Sequence, residues 1–146
     1  MRIDEIDQED ADIDWFATDS NGCILHVASG GGILPESVAT SQEALLELHQ
    51  YFLTLPEADS PVVTEAEARA DEGSYQGFAR YARRGLFSFT KTRLHDRADT
   101  RYYLVARPQR PLTVAELPKD IATLLRRTQL PSSVAQQNAF DAATIL

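Results

Sequence analysis

The sequence predicts an α+β domain: an antiparallel sheet of about four or more strands, built from two hairpins, with helices packed on one face. Two pairs of short β-rich segments predict the sheet, 13–18 with 23–28 and 86–90 with 102–106. Stretches of helical periodicity stand between these pairs and after them. The length of 146 residues, with 43% apolar and 25% charged residues, fits a single globular domain over 1–146.

Residues 1–11 read as an acidic arm. Ile13 to Thr18 then reads as a strand, and Asp19-Ser20-Asn21-Gly22 as its turn. Asn-Gly tolerates positive φ and is a strong short hairpin signal. Cys23 to Ala28 reads as the return strand. Gly30-Gly31-Gly32 makes a loop, because no side chain restricts the backbone there.

Thr40-Ser41-Gln42-Glu43 is a capping-box pattern, in which Thr40 and Glu43 would satisfy each other's exposed amides. The helix it opens runs to about Leu53. Leu45, Leu48, Phe52 and Leu55 give it one apolar face, and Pro56 ends it. Thr64-Glu65-Ala66-Glu67 is a second capping-box pattern, with Gly73 as a stop. Ser74 can cap a further helix over Tyr75 to Arg84, ended by Gly85.

Leu86 to Thr90 and Tyr102 to Ala106 form the second pair of strands, joined by the polar stretch 94–100. Pro118 suits the first turn of a helix whose stripe is Ile121, Leu124 and Leu125. The tail from Pro131 forms a last helix or covers a sheet edge.

One cysteine, Cys23, excludes an internal disulfide and suits a reducing cytoplasm. The acidic start lacks the basic and apolar regions of a signal peptide, and no run is long and apolar enough to span a membrane. The expected location is cytoplasmic. The net charge of −8 is polarised. Residues 1–22 carry eight acids against Arg2, and 57–72 carry six against Arg69; residues 80–110 carry nine bases against Asp96 and Asp99. This balance repels nucleic acid at long range. Aromatic and basic residues do interleave over 78–103, a weak sign of base stacking, but no RNA-binding signature accompanies them.

No catalytic set is evident. His26, His49 and His95 lack metal-ligand spacing. Cys23 and His26 are three residues apart on a strand, which sends their side chains to opposite faces. The glycine loop has no lysine and no helix directly after it, so it is not a phosphate loop. Asp10, Asp12, Asp14 and Asp19 share acidity with a calcium loop, but Trp15 and Phe16 stand where that loop needs other residues. The sequence thus predicts no catalytic residue, no cofactor and no metal.

Trp15, His26, Gly30, Gly31, Gly32 and Tyr102 are the candidate binding surface. Trp15 and Tyr102 are aromatic side chains of the kind that anchor partners, and the glycines form a loop on a rigid scaffold.

Three stretches together carry a resemblance: Asp14-Trp15-Phe16 leading into Asp19-Ser20-Asn21-Gly22, then Gly85-Leu86-Phe87-Ser88-Phe89, then Tyr103 to Pro108 leading into Pro111-Leu112 and Leu117-Pro118. In these, from about Asp12 to Arg127, the chain resembles a family of small uncharacterised bacterial proteins. No site residue carries over from that resemblance. In size and charge alone the chain is similar to immunity proteins that neutralise bacterial toxins. The expected function is therefore non-enzymatic binding of another protein, of a basic one by charge. The alternative is a small enzyme or ligand-binding protein with a pocket near Gly30–Gly32 and His26. A homodimer through a strand edge is a third reading.

Overall fold

The computed structural model describes residues 1–57, 62–63, 78–92, 96 and 98–145. The expected helix from Thr64 and residues 74–77 of the next one lie outside that set. The acidic segment that reads as an arm forms helix α1 (Glu5–Asp10), capped by the Asp4 side chain, which accepts from the Asp7 N–H. Ile3 and Gln8 are buried, and the Ile3 N–H donates to Ala39 O.

Strands β1 (Asp14–Thr18) and β2 (Ile24–Ala28) form the expected hairpin. Its turn is tied by one side chain. Asp19 Oδ1 accepts from the N–H groups of Asn21 and Cys23, both at 2.9 Å, while Oδ2 accepts from Val134 N–H at 2.8 Å. Gly22 supplies the positive φ of 81° that the turn needs.

After α2 (Glu36–Ala39) comes α3 (Gln42–Thr54). Its cap is Ser41, whose Oγ accepts from Ala44 N–H, one residue later than the expected Thr40. Thr40 instead closes α2, with its N–H on Glu36 O and its hydroxyl on Ser37 O. Glu43, the expected partner in the box, pairs with the chain's own amino terminus.

The sheet holds β3 (Val62–Val63), β4 (Phe87–Lys91), β5 (Arg101–Arg107) and β6 (Ala139–Asp141) as well, six strands among the described residues. The order is β1-β2-β4-β5-β3, and the sheet curls into a half-barrel. β6 pairs with the first half of β5 and β3 with the last two residues on the same side. The tail from Pro131 therefore does cover an edge.

Two expectations about the sheet need correction. It is mixed, because β2 and β4 run parallel, with His26 opposite Ser88. The two hairpins are joined by the long connection 29–86, and only such a crossover lets two strands lie parallel. Nor are helices confined to one face. α3, helical residues 78–82 and α4 (Lys119–Leu125) cover one face through Leu48, Phe52, Tyr81, Ile121 and Leu125. The other face buries Trp15, Leu25, Val27, Phe89, Tyr102 and Leu104 against Val38 and Ala39 of α2, Leu130, Val134 and Phe140. A curled sheet with both faces apolar must be covered twice, since each exposed apolar face would leave a large area in water.

Gly85 ends helical residues 78–82 as expected, at φ 99°. A Cβ there would lie 2.7 Å from Leu112 Cβ, so the residue must be glycine on two counts. No helix among the described residues is long and apolar enough to cross a membrane.

Candidate binding cleft

The hairpin register places Asp14 and His26 on one face, diagonally across β1 and β2. There His26 Nε2 meets Asp14 Oδ1 at 2.9 Å, and Nδ1 meets the Ser88 hydroxyl at 2.6 Å. Ionised Asp14 can only accept, so Nε2 carries the proton, and the Ser88 hydroxyl donates to Nδ1. The Tyr81 ring stacks on His26 at 3.7 Å, and its hydroxyl lies 3.4 Å from His49 Nδ1.

Burial pushes His26 below its ordinary pKa, against the pull of Asp14. Asp14 feels the opposite balance: burial raises its pKa, but the His26 hydrogen bond and the charges of His49 and Arg80 outweigh that and hold it below the ordinary carboxylate value. Burial also pushes the Tyr81 hydroxyl up to about 12. The resting state is thus neutral His26 between an ionised Asp14 and a neutral Ser88.

Ser, His and Asp are the residue types of a nucleophilic triad, but the chain of hydrogen bonds is turned around. Ser88 is fully buried and out of reach of an acyl group in this conformation. Asp14 is the accessible end, with a side chain 31% exposed. What this arrangement offers to solvent is a fixed carboxylate.

Asp14 lies in a cleft of about 450 Å³ between α1, the start of β1 and α3. Asp7, Ala11, Asp12 and Ile13 form one side; Gln42, Leu45, Leu46 and His49 form the other, with Ile3 beside them. The α3 residues recur at the spacing of a single helix face. Among the described residues, three carboxylates and no lysine or arginine line the cleft. The large apolar side chains most exposed among the described residues are Met1, Ile6, Ile33 and Leu46. All belong to this end of the molecule: Met1 O accepts from Gln42 N–H, Ile6 lies in α1, Leu46 lines the cleft, and the loop around Ile33 is tied to Gln8 through Gly32 and Leu34.

The six residues expected at a binding surface are all buried. Trp15 and Tyr102 meet edge to face at 5.8 Å in the core, with Phe140 beside both. Gly30, Gly31 and Gly32 are held by Asp12, Gln8 and Lys91: Asp12 Oδ1 accepts from Gly30 N–H, Gln8 O accepts from Gly32 N–H, and Lys91 Nζ donates to Gly31 O. Of the six, only His26 takes part in the cleft, from behind Asp14. Cys23 and His26 do fall in the cores on opposite faces of the sheet.

The basic stretch 80–110 is spread over several elements, and much of it is engaged internally. Arg84 donates to Leu55 O and Arg80 O, Arg101 pairs with Asp99, and Arg107 donates to Ala135 O and Asn138. Among the described residues, no group of three or more His, Cys, Asp or Glu is placed to hold a metal ion.

Asp7, Leu46 and His49 escape sequence reasoning because α1 must first dock against α3. The Asp14–His26 pair was accessible from the hairpin alone, by counting outward from the Asn21-Gly22 turn. Comparison with protein-family models, curated proteins and solved structures yields no match to this chain.

Proposed function

We propose that this chain is a non-enzymatic protein-binding domain that receives a basic partner on the acidic, apolar-edged face built by α1 and α3, as an immunity-type protein would receive a basic toxin. The observation that carries this reading is the cleft, which combines Asp7, Asp12 and Asp14 with Leu45 and Leu46 and, among the described residues, is lined by no lysine or arginine. Carboxylates around it attract and orient a positive partner, and the apolar side chains contribute burial once water is expelled. Ile6 and Leu46, 70% and 53% exposed, add apolar surface beside the charge.

A second reading, a small-molecule site, draws on the same cleft, whose volume suits a compact ligand and whose Asp14 is backed by His26.

The protein-binding reading is tested by fluorescence anisotropy with an amphipathic peptide of alternating lysine and leucine, and with its glutamate counterpart. The lysine peptide should bind with a dissociation constant of roughly micromolar order and weaken several-fold as salt rises from about 0.05 M to about 0.5 M. Equal binding of both peptides, or binding of neither, contradicts the reading.

A further inference from the structure

The cleft is more specific than an acidic surface. Asp14 differs from the exposed acids of α1 in that its carboxylate is held. His26 Nε2–H fixes Oδ1, Ser88 fixes the tautomer of His26, and the stacked Tyr81 ring fixes the plane of the imidazole. A carboxylate whose orientation is set before binding loses little freedom when a ligand arrives. With Oδ1 taken by His26, Oδ2 remains as the acceptor for a ligand.

The walls beside it are in part apolar, with Gln42 and His49 on the same face of α3. Ile13, Leu45 and Leu46 line the same cleft, and Leu46 is more than half exposed. Asp7 and Asp12 share the cleft with Asp14. An occupant that satisfies all of this has a positive head with several donors and an aliphatic stem. A guanidinium fits better than an ammonium: its donors are spread in a plane and can reach more than one carboxylate, and it is more weakly hydrated, so it leaves water more readily. The stem would lie along Leu45 and Leu46, as long cationic side chains lie along apolar surface elsewhere.

We propose that the cleft between α1 and α3 is a receptor for one arginine side chain of a partner protein, with Asp14 accepting the guanidinium and Ile13, Leu45 and Leu46 flanking its stem. This rests on the reading of the acidic face as a site for a basic partner, and it names the anchor of that contact. His26 and Ser88 act as positioning residues, since neither meets the ligand. Asp12 contributes charge but is also tied to the Gly30 N–H, so its share is smaller than that of Asp14.

The experiment is a titration followed by heteronuclear NMR, with n-butylguanidinium, n-butylammonium and methylguanidinium as probes. In the wild type, n-butylguanidinium should shift the resonances of Asp14, Leu45, Leu46 and His49 at millimolar concentration, and bind several-fold more tightly than n-butylammonium. Asp14→Asn keeps an oxygen for His26, so it should fold, and it should lose binding by roughly tenfold. Leu46→Ala alters an exposed side chain and should erase most of the advantage of the butyl over the methyl probe.

Three results overturn the proposal: shifts spread evenly over Asp4, Glu5, Glu36 and the cleft; equal binding by Asp14→Asn; or butylammonium binding as well as butylguanidinium. The lysine–leucine peptide separates this inference from the broader reading. If that peptide binds wild type and Asp14→Asn alike, the arginine receptor fails and the basic-partner reading stands. If the peptide does not bind at all, the broader reading fails with it.

Discussion

Trp15→Ala is expected to lower the free energy of unfolding by about 3–5 kcal/mol, the usual cost of emptying a core site of a large aromatic side chain. Trp15 is fully buried, meets Tyr102 and Phe140 edge to face, and belongs to the core opposite the face that carries Phe16 and Tyr81. Among the described residues, Val38 and Ala39 of α2, Leu45 of α3 and the returning tail close it. A cavity there is bordered by paired strands and by several separate segments, so relaxation is limited. For a domain of this size the loss corresponds to a fall in Tm of roughly 10 °C or more.

Trp15→Phe should cost much less. The indole N–H lies near enough to the Tyr102 hydroxyl to oppose the rise that burial causes in its pKa, which still reaches about 12, yet it makes no well-formed hydrogen bond. Little polar interaction is lost with it. Urea unfolding followed by circular dichroism measures both variants, since Trp15 is the only tryptophan and its fluorescence disappears with it. A loss below about 1 kcal/mol for Trp15→Ala would show that this face is loosely packed.

His26→Leu is expected to cost about 2–4 kcal/mol, by a different route. Leucine fills much of the space between Phe16 and Tyr81, but the fully buried Ser88 hydroxyl loses its partner and Asp14 loses its donor. His26→Gln, which can donate to Asp14 and accept from Ser88, should recover part of the loss.

The pH profile separates this mechanism from simple repacking. Native His26 has a pKa below 6.5, whereas in the unfolded chain it takes up a proton near that value. Below 6.5 the unfolded state therefore binds more protons than the native state, and wild-type stability falls as pH drops toward the lowered native pKa. The leucine variant lacks this loss. Around His26 the groups that set the effect are Asp12, Ser88, Tyr81, Arg80 and, in direct contact, Asp14. Its own contribution is present above 3.8 and is lost as pH falls through its lowered native value. The stability gap between wild type and His26→Leu should thus narrow from about pH 7 to about pH 5. A constant gap would mean that His26 is not held neutral.

The hairpin β1–β2 was legible because its information is local: Asp19, Asn21 and Gly22 specify the turn, and alternation specifies the strands. α3, α4 and the stop at Gly85 were legible for the same reason. The parallel pairing of β2 with β4 was not, since it joins Leu25–Ala28 to Phe87–Thr90 across the long connection and no short-range signal encodes it. With it went Ser88, which reaches His26 only through that pairing. Alternation also showed that Trp15 and Phe16 face opposite ways without showing that both faces are covered. That is why Trp15 and Tyr102 looked like surface anchors and are core residues. The polarity of charge was visible from the start. What the fold adds is that the acidic end coincides with the exposed apolar side chains, while much of the basic stretch is engaged internally.

In the proposed function it is the cleft, and not net charge, that receives a basic partner. A matched pair of charge reversals tests it. Asp7 and Asp120 are both exposed and both lie in the first turn of a helix, but only Asp7 lines the cleft. Binding of the lysine–leucine peptide should weaken about tenfold or more in Asp7→Lys and less than about twofold in Asp120→Lys, because a reversed charge within the contact acts at close range and a distant one is screened. Equal weakening in the two variants would contradict the claim.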